Sequence, residues 1–140
     1  IFVVSDFAKR IAEVEKGLRE PILQVGNLEA QRDFTDVRDI VEAYCSLIEK
    51  GKAGEIYNVG SGRVYKIKYL LDCLLSFTKT SIEIEQDPAR MRPSDVPIIS
   101  CDNRKLQNLT GWRPKHNIED TLQEVLEYWR KELEEKDSNR

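Results

Sequence analysis

Seven of the 140 residues are glycine, and none falls into Gly-x-Gly-x-x-Gly or Gly-x-x-Gly-x-x-Gly. The chain therefore encodes no glycine-rich turn on which a dinucleotide pyrophosphate could rest. A Tyr-x-x-x-Lys pair, in which lysine lowers a tyrosine's pKa for proton transfer, is also missing. Tyr44, Tyr57, Tyr65, Tyr69 and Tyr128 are followed at that spacing by Ile48, Ser61, Tyr69, Cys73 and Glu132. His116 is the single histidine, and Cys45, Cys73 and Cys101 are widely separated with no Cys-x-x-Cys. They read as reduced, partly buried thiols, not metal ligands. Ser61 has no histidine near it, so no nucleophile is suggested, and His116 reads as a surface residue. No apolar run approaches the roughly 20 residues that span a bilayer, and Ile1 to Val4 is too short for a signal peptide's apolar core. Twenty-two basic and twenty-five acidic residues give a net charge of -3 without a basic block. A cytoplasmic protein with no membrane or nucleic-acid partner is expected.

What is present suits one domain with an apolar core. Phe7, Ile11, Val14 and Leu18 follow helical spacing and predict a helix from about Ser5, capped by Ser5 or Asp6, to Gly17. Pro21 bars further helix, and Ile22 to Val25 reads as a short strand closed by Gly26-Asn27, a pair suited to positive φ. Thr35 or Asp36 can cap a second helix, with Val37, Ile40, Val41, Tyr44, Leu47 and Ile48 as one wide apolar stripe. Glu55 to Val59 reads as a strand, and Gly60-Ser61-Gly62 as a tight turn whose N–H groups could hold a phosphate, although a turn there needs glycine anyway. Ile67, Leu70, Leu71, Leu74 and Leu75 predict a third helix. Ile82 to Glu85 alternates as a strand with one buried face. Residues 87–97 form a proline- and arginine-rich loop. Asp102 can cap a short helix ending at Gly111, and Asn117 with Asp120 caps a last helix carrying Leu122, Val125, Leu126, Trp129 and Leu133, whose tail from Glu134 is solvated or frayed. This is a helix-rich α/β pattern with too few short strands to cover that many apolar helix faces. Since the chain also opens on Ile-Phe-Val-Val, without methionine, a piece of something longer is expected.

Binding, not bond-making, is the chemistry the residues offer. The stretch Gly26 to Asp39 leads from strand to helix, where ligands sit in α/β proteins. Arg32 within it presents a planar fork of donors that matches phosphate oxygens, or it is salt-bridged to Asp33 or Asp36. Arg90 and Arg92 in the second loop could meet the same ligand and complete a diphosphate clamp, or form a solvent-exposed basic loop.

Five segments occur in a familiar order. They are residues 2–9, Phe-Val-Val-Ser-Asp-Phe-Ala-Lys; residues 25–39, with Arg32-Asp33-Phe34-Thr35-Asp36-Val37 at the centre; Tyr57-Asn58-Val59-Gly60-Ser61-Gly62; Arg92-Pro93-Ser94-Asp95-Val96; and Thr110-Gly111-Trp112-Arg113-Pro114. Together they resemble the C-terminal part of the nucleotide-sugar epimerases and dehydratases of the extended short-chain dehydrogenase/reductase group, over nearly the whole chain. The GDP-sugar branches, GDP-mannose 4,6-dehydratase and GDP-6-deoxy-4-keto-mannose reductase, look most similar, and Phe34 after Arg32-Asp33 leans toward the reductase. The resemblance implies a Rossmann-type α/β fold that is incomplete without its N-terminal cofactor half. It implies that Arg32 and Arg92 hold a diphosphate, that Val25, Asn27 and Asp95 line the nucleoside pocket, and that Arg90 assists. It also implies a GDP-sugar as ligand, NADP or NAD in the intact enzyme, and a homo-oligomer. The family's catalytic and cofactor-binding motifs lie N-terminal to these residues and have no counterpart here.

Overall fold

The computed structural model describes residues 2–91 and 96–138. Its elements in chain order are α1 (Val3–Glu15), β1 (Ile22–Val25), β2 (Gln31–Asp33), α2 (Val37–Lys50), β3 (Val64–Lys66), α3 (Ile67–Ser76), β4 (Glu83–Gln86), a 3-10 turn (Pro88–Arg90), β5 (Ile98–Ile99), α4 (Arg104–Thr110) and α5 (Ile118–Ser138). β1 and β4 pair in parallel, and β3-β2-β5 make a second small sheet in which β2 is central. The architecture is α/β and helix-rich, with its strands short.

The main core lies where α1, α3 and α5 converge on β1. Phe7 and Ile11 of α1, Leu23 and Val25 of β1, Leu70, Leu71 and Leu74 of α3, and Leu122 and Leu126 of α5 are buried together. The helical spacing read from the sequence produces this directly, since residues three and four apart share a face. A second, smaller cluster joins Ala43 of α2 to Leu106 of α4 and to Trp112.

Several ends differ from expectation for local reasons. α1 starts at Val3 after Phe2 with no side-chain cap; Ser5 instead accepts the Trp129 indole N–H of α5 at 3.1 Å. Asp36, not Thr35, caps α2 by accepting the Arg38 N–H at 2.8 Å. Asp102 accepts the Arg104 N–H of α4 at 3.1 Å, and Gly111 ends α4 in the left-handed region at φ 77°, a conformation glycine adopts without a Cβ clash. Asn117 accepts the Asp120 N–H at 2.8 Å, the expected cap, and its side-chain amide, rather than its backbone N–H, donates to the Asp120 carboxylate at 2.7 Å. The acidic tail continues helically to Ser138. The strand expected to bury one face, β4, has all four residues exposed; of the stretch Ile82 to Glu85 only Ile82, just before the strand, packs half-buried against the main core.

Two expectations are overturned. Glu55 to Val59 has no regular structure and joins no ladder among the described residues; the partners of β2 are β3, Val64–Lys66, and β5. Most of the apolar stripe of α2 faces outward; of its six residues only Ile40 and Leu47 are half-buried, Leu47 against the Ala43–Leu106–Trp112 cluster. Val37, Val41, Tyr44 and Ile48 are 55% to 85% exposed, whereas Asp39 and Ala43 are buried. The buried side of α2 is held by specific polar contacts as well as by Ala43. Asp39 accepts the Lys115 and His116 N–H groups, each at 3.1 Å, and the Asp39 carbonyl accepts the Trp112 indole N–H at 3.0 Å. A buried carboxylate needs such partners. Once α2 is oriented by them, Val37, Val41, Tyr44 and Ile48 point outward; Ile56 is likewise exposed, at 83%.

Candidate functional site

A cavity of about 540 Å3 opens between α1, the end of β1, β2 and the 3-10 turn. It falls within the size range of small-molecule sites. Val25, Asn27, Arg32 and Arg90 all line it, so four of the six residues expected to bind ligand share one cavity. Arg92 and Asp95 lie outside the described residues.

Arg32 sits on a strand, not in the loop expected from the sequence, at the centre of the β3-β2-β5 sheet opposite Tyr65 and Ile99. Its Nη1 donates to the Gln31 carbonyl at 2.8 Å and approaches the Pro97 carbonyl at 3.5 Å. Among the described residues it makes no ion pair with Asp33 or Asp36, because both carboxylates are engaged elsewhere. The Asp36 carboxylate accepts from the Arg38 guanidinium at 2.7 Å and from the Thr121 hydroxyl at 2.8 Å. The Arg38 contact foremost holds Asp36 well below the usual carboxylate range against the opposing effect of burial.

Asp33 explains the glycine turn. Its carboxylate accepts the Ser61 N–H at 3.0 Å, the Gly62 N–H at 2.8 Å and the Ser61 hydroxyl at 2.7 Å. It also accepts from the Thr35 hydroxyl at 3.0 Å and the Cys101 N–H at 3.3 Å. The donors that could have held a phosphate in Gly60-Ser61-Gly62 are therefore occupied by a carboxylate of the same chain. The turn serves to bring β3 against β2, and with it to brace Arg32.

The Gly26-Asn27 pair also works differently from the expectation, since neither residue has positive φ. Asn27 forms a side-chain turn instead, its Oδ1 accepting the Glu29 N–H at 2.9 Å. Arg90 is fixed in the 3-10 turn, its Nε 3.4 Å from Asp87 Oδ2 and its side chain about half exposed at 49%.

Arg10 was not singled out from the sequence. It is 6% exposed, lines the cavity and donates from Nη1 to the Gln24 carbonyl at 2.9 Å. Asp6 lies one helical turn before it at 3.4 Å. The available signal was an arginine on the apolar face of α1, between Phe7 and Ile11, where a charge needs a reason. The cavity wall thus carries three guanidinium groups, Arg10, Arg32 and Arg90, against one carboxylate, Asp6. Val25, Leu28, Ala30 and Ile67 add apolar surface to the lining. Cations focused beside apolar surface suit an anionic ligand with a flat or hydrophobic portion.

Groups outside the cavity are accounted for structurally. His116, expected as a surface residue, has Nδ1 2.9 Å from Asp39 Oδ1. Burial opposes the ionisation of Asp39, but the contact with His116 and the two backbone N–H groups outweigh it and lower the carboxyl's pKa. All three cysteines are free; Cys45 is exposed, contrary to the expectation of partial burial. Burial, then the neighbouring Asp33 and Asp102 carboxylates, push the Cys101 thiol up, which disfavours a thiolate there. Among the described residues no group of three metal-ligating side chains occurs, and no helix is long and apolar enough to cross a membrane.

A family model for GDP-mannose 4,6 dehydratase matches residues 1–125. GDP-6-deoxy-D-mannose reductase of Pseudomonas aeruginosa is 37% identical over 134 residues, covering 96% of this chain and 44% of the relative. Human dTDP-D-glucose 4,6-dehydratase is 32% identical over 104 residues, 71% of this chain and 29% of that protein. Among solved structures, RMD from Pseudomonas aeruginosa complexed with NADPH superposes with a TM-score of 0.87 at 35% identity, covering 94% of this chain and 43% of that one. The chain therefore spans less than half the length of these relatives. From the family model and the Pseudomonas reductase together, it belongs to the GDP-mannose 4,6 dehydratase family, within the extended short-chain dehydrogenase/reductases.

Proposed function

We propose that these residues form the C-terminal, nucleotide-sugar-binding portion of an NADP-dependent GDP-6-deoxy-4-keto-mannose reductase. The observation that carries this reading is the single cavity where Arg32 and Arg90 stand beside Val25 and Asn27. The 37% identity to the Pseudomonas reductase supports the choice of reaction. In this reading Arg32, together with Arg92, holds the diphosphate, while Val25, Asn27 and Asp95 line the nucleoside pocket. Arg90 assists from the 3-10 turn. The contribution is positional: gripping the nucleotide presents the sugar's 4-keto carbon to a reductant, and orientation of that kind removes much of a barrier.

The residues present do not fit the cofactor itself. No glycine-rich turn and no Tyr-x-x-x-Lys pair occurs in the sequence. The dinucleotide and the proton-transfer groups therefore belong to other residues of the intact protein. The outward residues Val37, Val41, Tyr44 and Ile48 suit packing against that remaining part. A cytoplasmic location and a homo-oligomer go with this reading. The match of the dehydratase family model to residues 1–125 favours, as a second reading, the GDP-mannose 4,6-dehydratase reaction on the same binding site.

The test is calorimetric titration of GDP and of the GDP-sugar. Arg32→Ala should weaken binding by about 2 to 4 kcal/mol, the cost of removing a charge-assisted, bidentate contact. Unchanged affinity would refute the reading. Turnover of GDP-mannose by the intact protein, in place of the 4-keto sugar, would decide for the dehydratase.

A further inference from the structure

The end of β1 and the turn that carries Arg90 approach each other more closely than any residue but glycine permits. The β1–β4 ladder pairs Val25 with Gln86, and the Asp87 N–H extends it by donating to the Val25 carbonyl at 2.8 Å. There the two chains would normally diverge. Instead Asp87 caps the 3-10 turn, accepting the Ala89 N–H at 2.9 Å on its carboxylate and the Arg90 N–H at 3.0 Å on its carbonyl. This folds Arg90 back over Gly26.

A Cβ at Gly26 would lie 2.5 Å from the Arg90 carbonyl oxygen, 3.1 Å from its carbonyl carbon and 3.3 Å from its Cβ. The obstacle is backbone, so a side chain at position 26 cannot be accommodated by rotating a flexible end. Backbone φ is not the reason for glycine here, because Gly26 is outside the positive-φ set. What glycine supplies is space, and the space is occupied by the main chain of a cavity-lining arginine. Arg90 is also shared with a neighbouring cleft of about 330 Å3 that includes Arg19 and Glu85. A turn displaced from Gly26 would shift the guanidinium from its present place between the two cavities.

We infer that Gly26 is a positioning residue: its missing side chain seats the 3-10 turn so that Arg90 lines the same cavity as Arg32 and the two together hold a diphosphate. The ligand half of this inference rests on the proposed nucleotide-sugar site; the seating of the turn does not. Gly26 needs no contact with the ligand to act.

The test uses a polypeptide containing these residues, with the variants Gly26→Ala, Arg90→Ala and both together. Without ligand, Gly26→Ala should move the NMR signals of the Arg90 Nε–H and of the amides of Asp87, Ala89 and Arg90, and leave those of α5 in place. Calorimetry with inorganic diphosphate should show about a five- to tenfold loss for either single variant, Arg90 being half exposed, and no further loss in the double variant, since both remove one interaction. Additive losses would overturn the inference, as would unmoved Arg90 signals or a wild-type protein that does not bind diphosphate. A Gly26→Ala chain that fails to fold would also overturn it, by showing that the glycine serves the core and not the turn. Coupled losses with diphosphate alongside no affinity for GDP would leave the inference standing and refute the nucleotide reading.

Discussion

Replacing Asp33 with alanine removes one carboxylate that ties three parts of the chain to β2. Its oxygens accept from Ser61, Gly62, Thr35 and Cys101 at 2.7 to 3.3 Å. Not all of that is lost, because the Ser61 N–H keeps the Thr35 hydroxyl at 2.7 Å. The Gly62 and Cys101 N–H groups lose their acceptor, and the site is only part-buried, so water can replace some contacts. Counting about 1 to 1.5 kcal/mol for each of two or three bonds that are not replaced gives a loss of about 2 to 4 kcal/mol. For a chain of 140 residues, that is a fall in Tm of about 6 to 14 °C. Asp33→Asn should recover about half, because an amide keeps one acceptor oxygen but turns an NH2 toward some of the same donors. Denaturant unfolding gives the stability, and amide exchange at Val64 to Lys66 reports whether β3 detaches first. A loss below about 1 kcal/mol, or an Asn variant as stable as the original, would refute the view that this carboxylate holds the turn.

Acid should destabilise the protein through Asp36 and Asp39. Both have carboxyls held below the ordinary 3.8 in the folded state, so their contribution is fully present above about pH 4 to 5 and is lost as pH falls through and below 3.8; thermal melts from pH 6 to pH 3 should slope downward, and Asp39→Asn should flatten the slope. Leu122→Ala, at a fully buried position of α5, should cost about 2 to 5 kcal/mol in chemical unfolding by leaving a cavity. Val41→Glu, on the outward stripe of α2, should change the stability of these residues by no more than about 0.5 kcal/mol in the same assay. If the stripe packs against further residues of the intact protein, the same substitution should sharply reduce that protein's folded yield.

The sequence by itself determined the elements whose signal is local. Helical spacing in Phe7, Ile11 and Val14 and in Leu122, Val125 and Leu126 was enough to specify α1 and α5 and their buried faces, because a helix displays residues three and four apart on one side whatever surrounds it. The Asn117–Asp120 cap was legible for the same reason. The candidate site was partly legible: Val25, Asn27, Arg32 and Arg90 were named from motif order and side-chain chemistry, and the fold brings them to one cavity.

Tertiary structure decided what depends on partners distant in sequence. Glu55 to Val59 has the composition of a strand but gains a ladder only if another strand lies beside it. The stripe of α2 is as apolar as that of α1, yet the bonds of Asp39 to Lys115 and His116, more than seventy residues away, turn it outward. The glycine turn has the donors to take a phosphate, but Asp33 fills it; Gly26 suits positive φ by type, but it is the Arg90 carbonyl against it that requires glycine. Arg10 became part of the site only when α1 packed against β1. In each case the residue types were visible in the chain, and which of several possible neighbours would reach them was fixed only by the packing of helices and strands around one core.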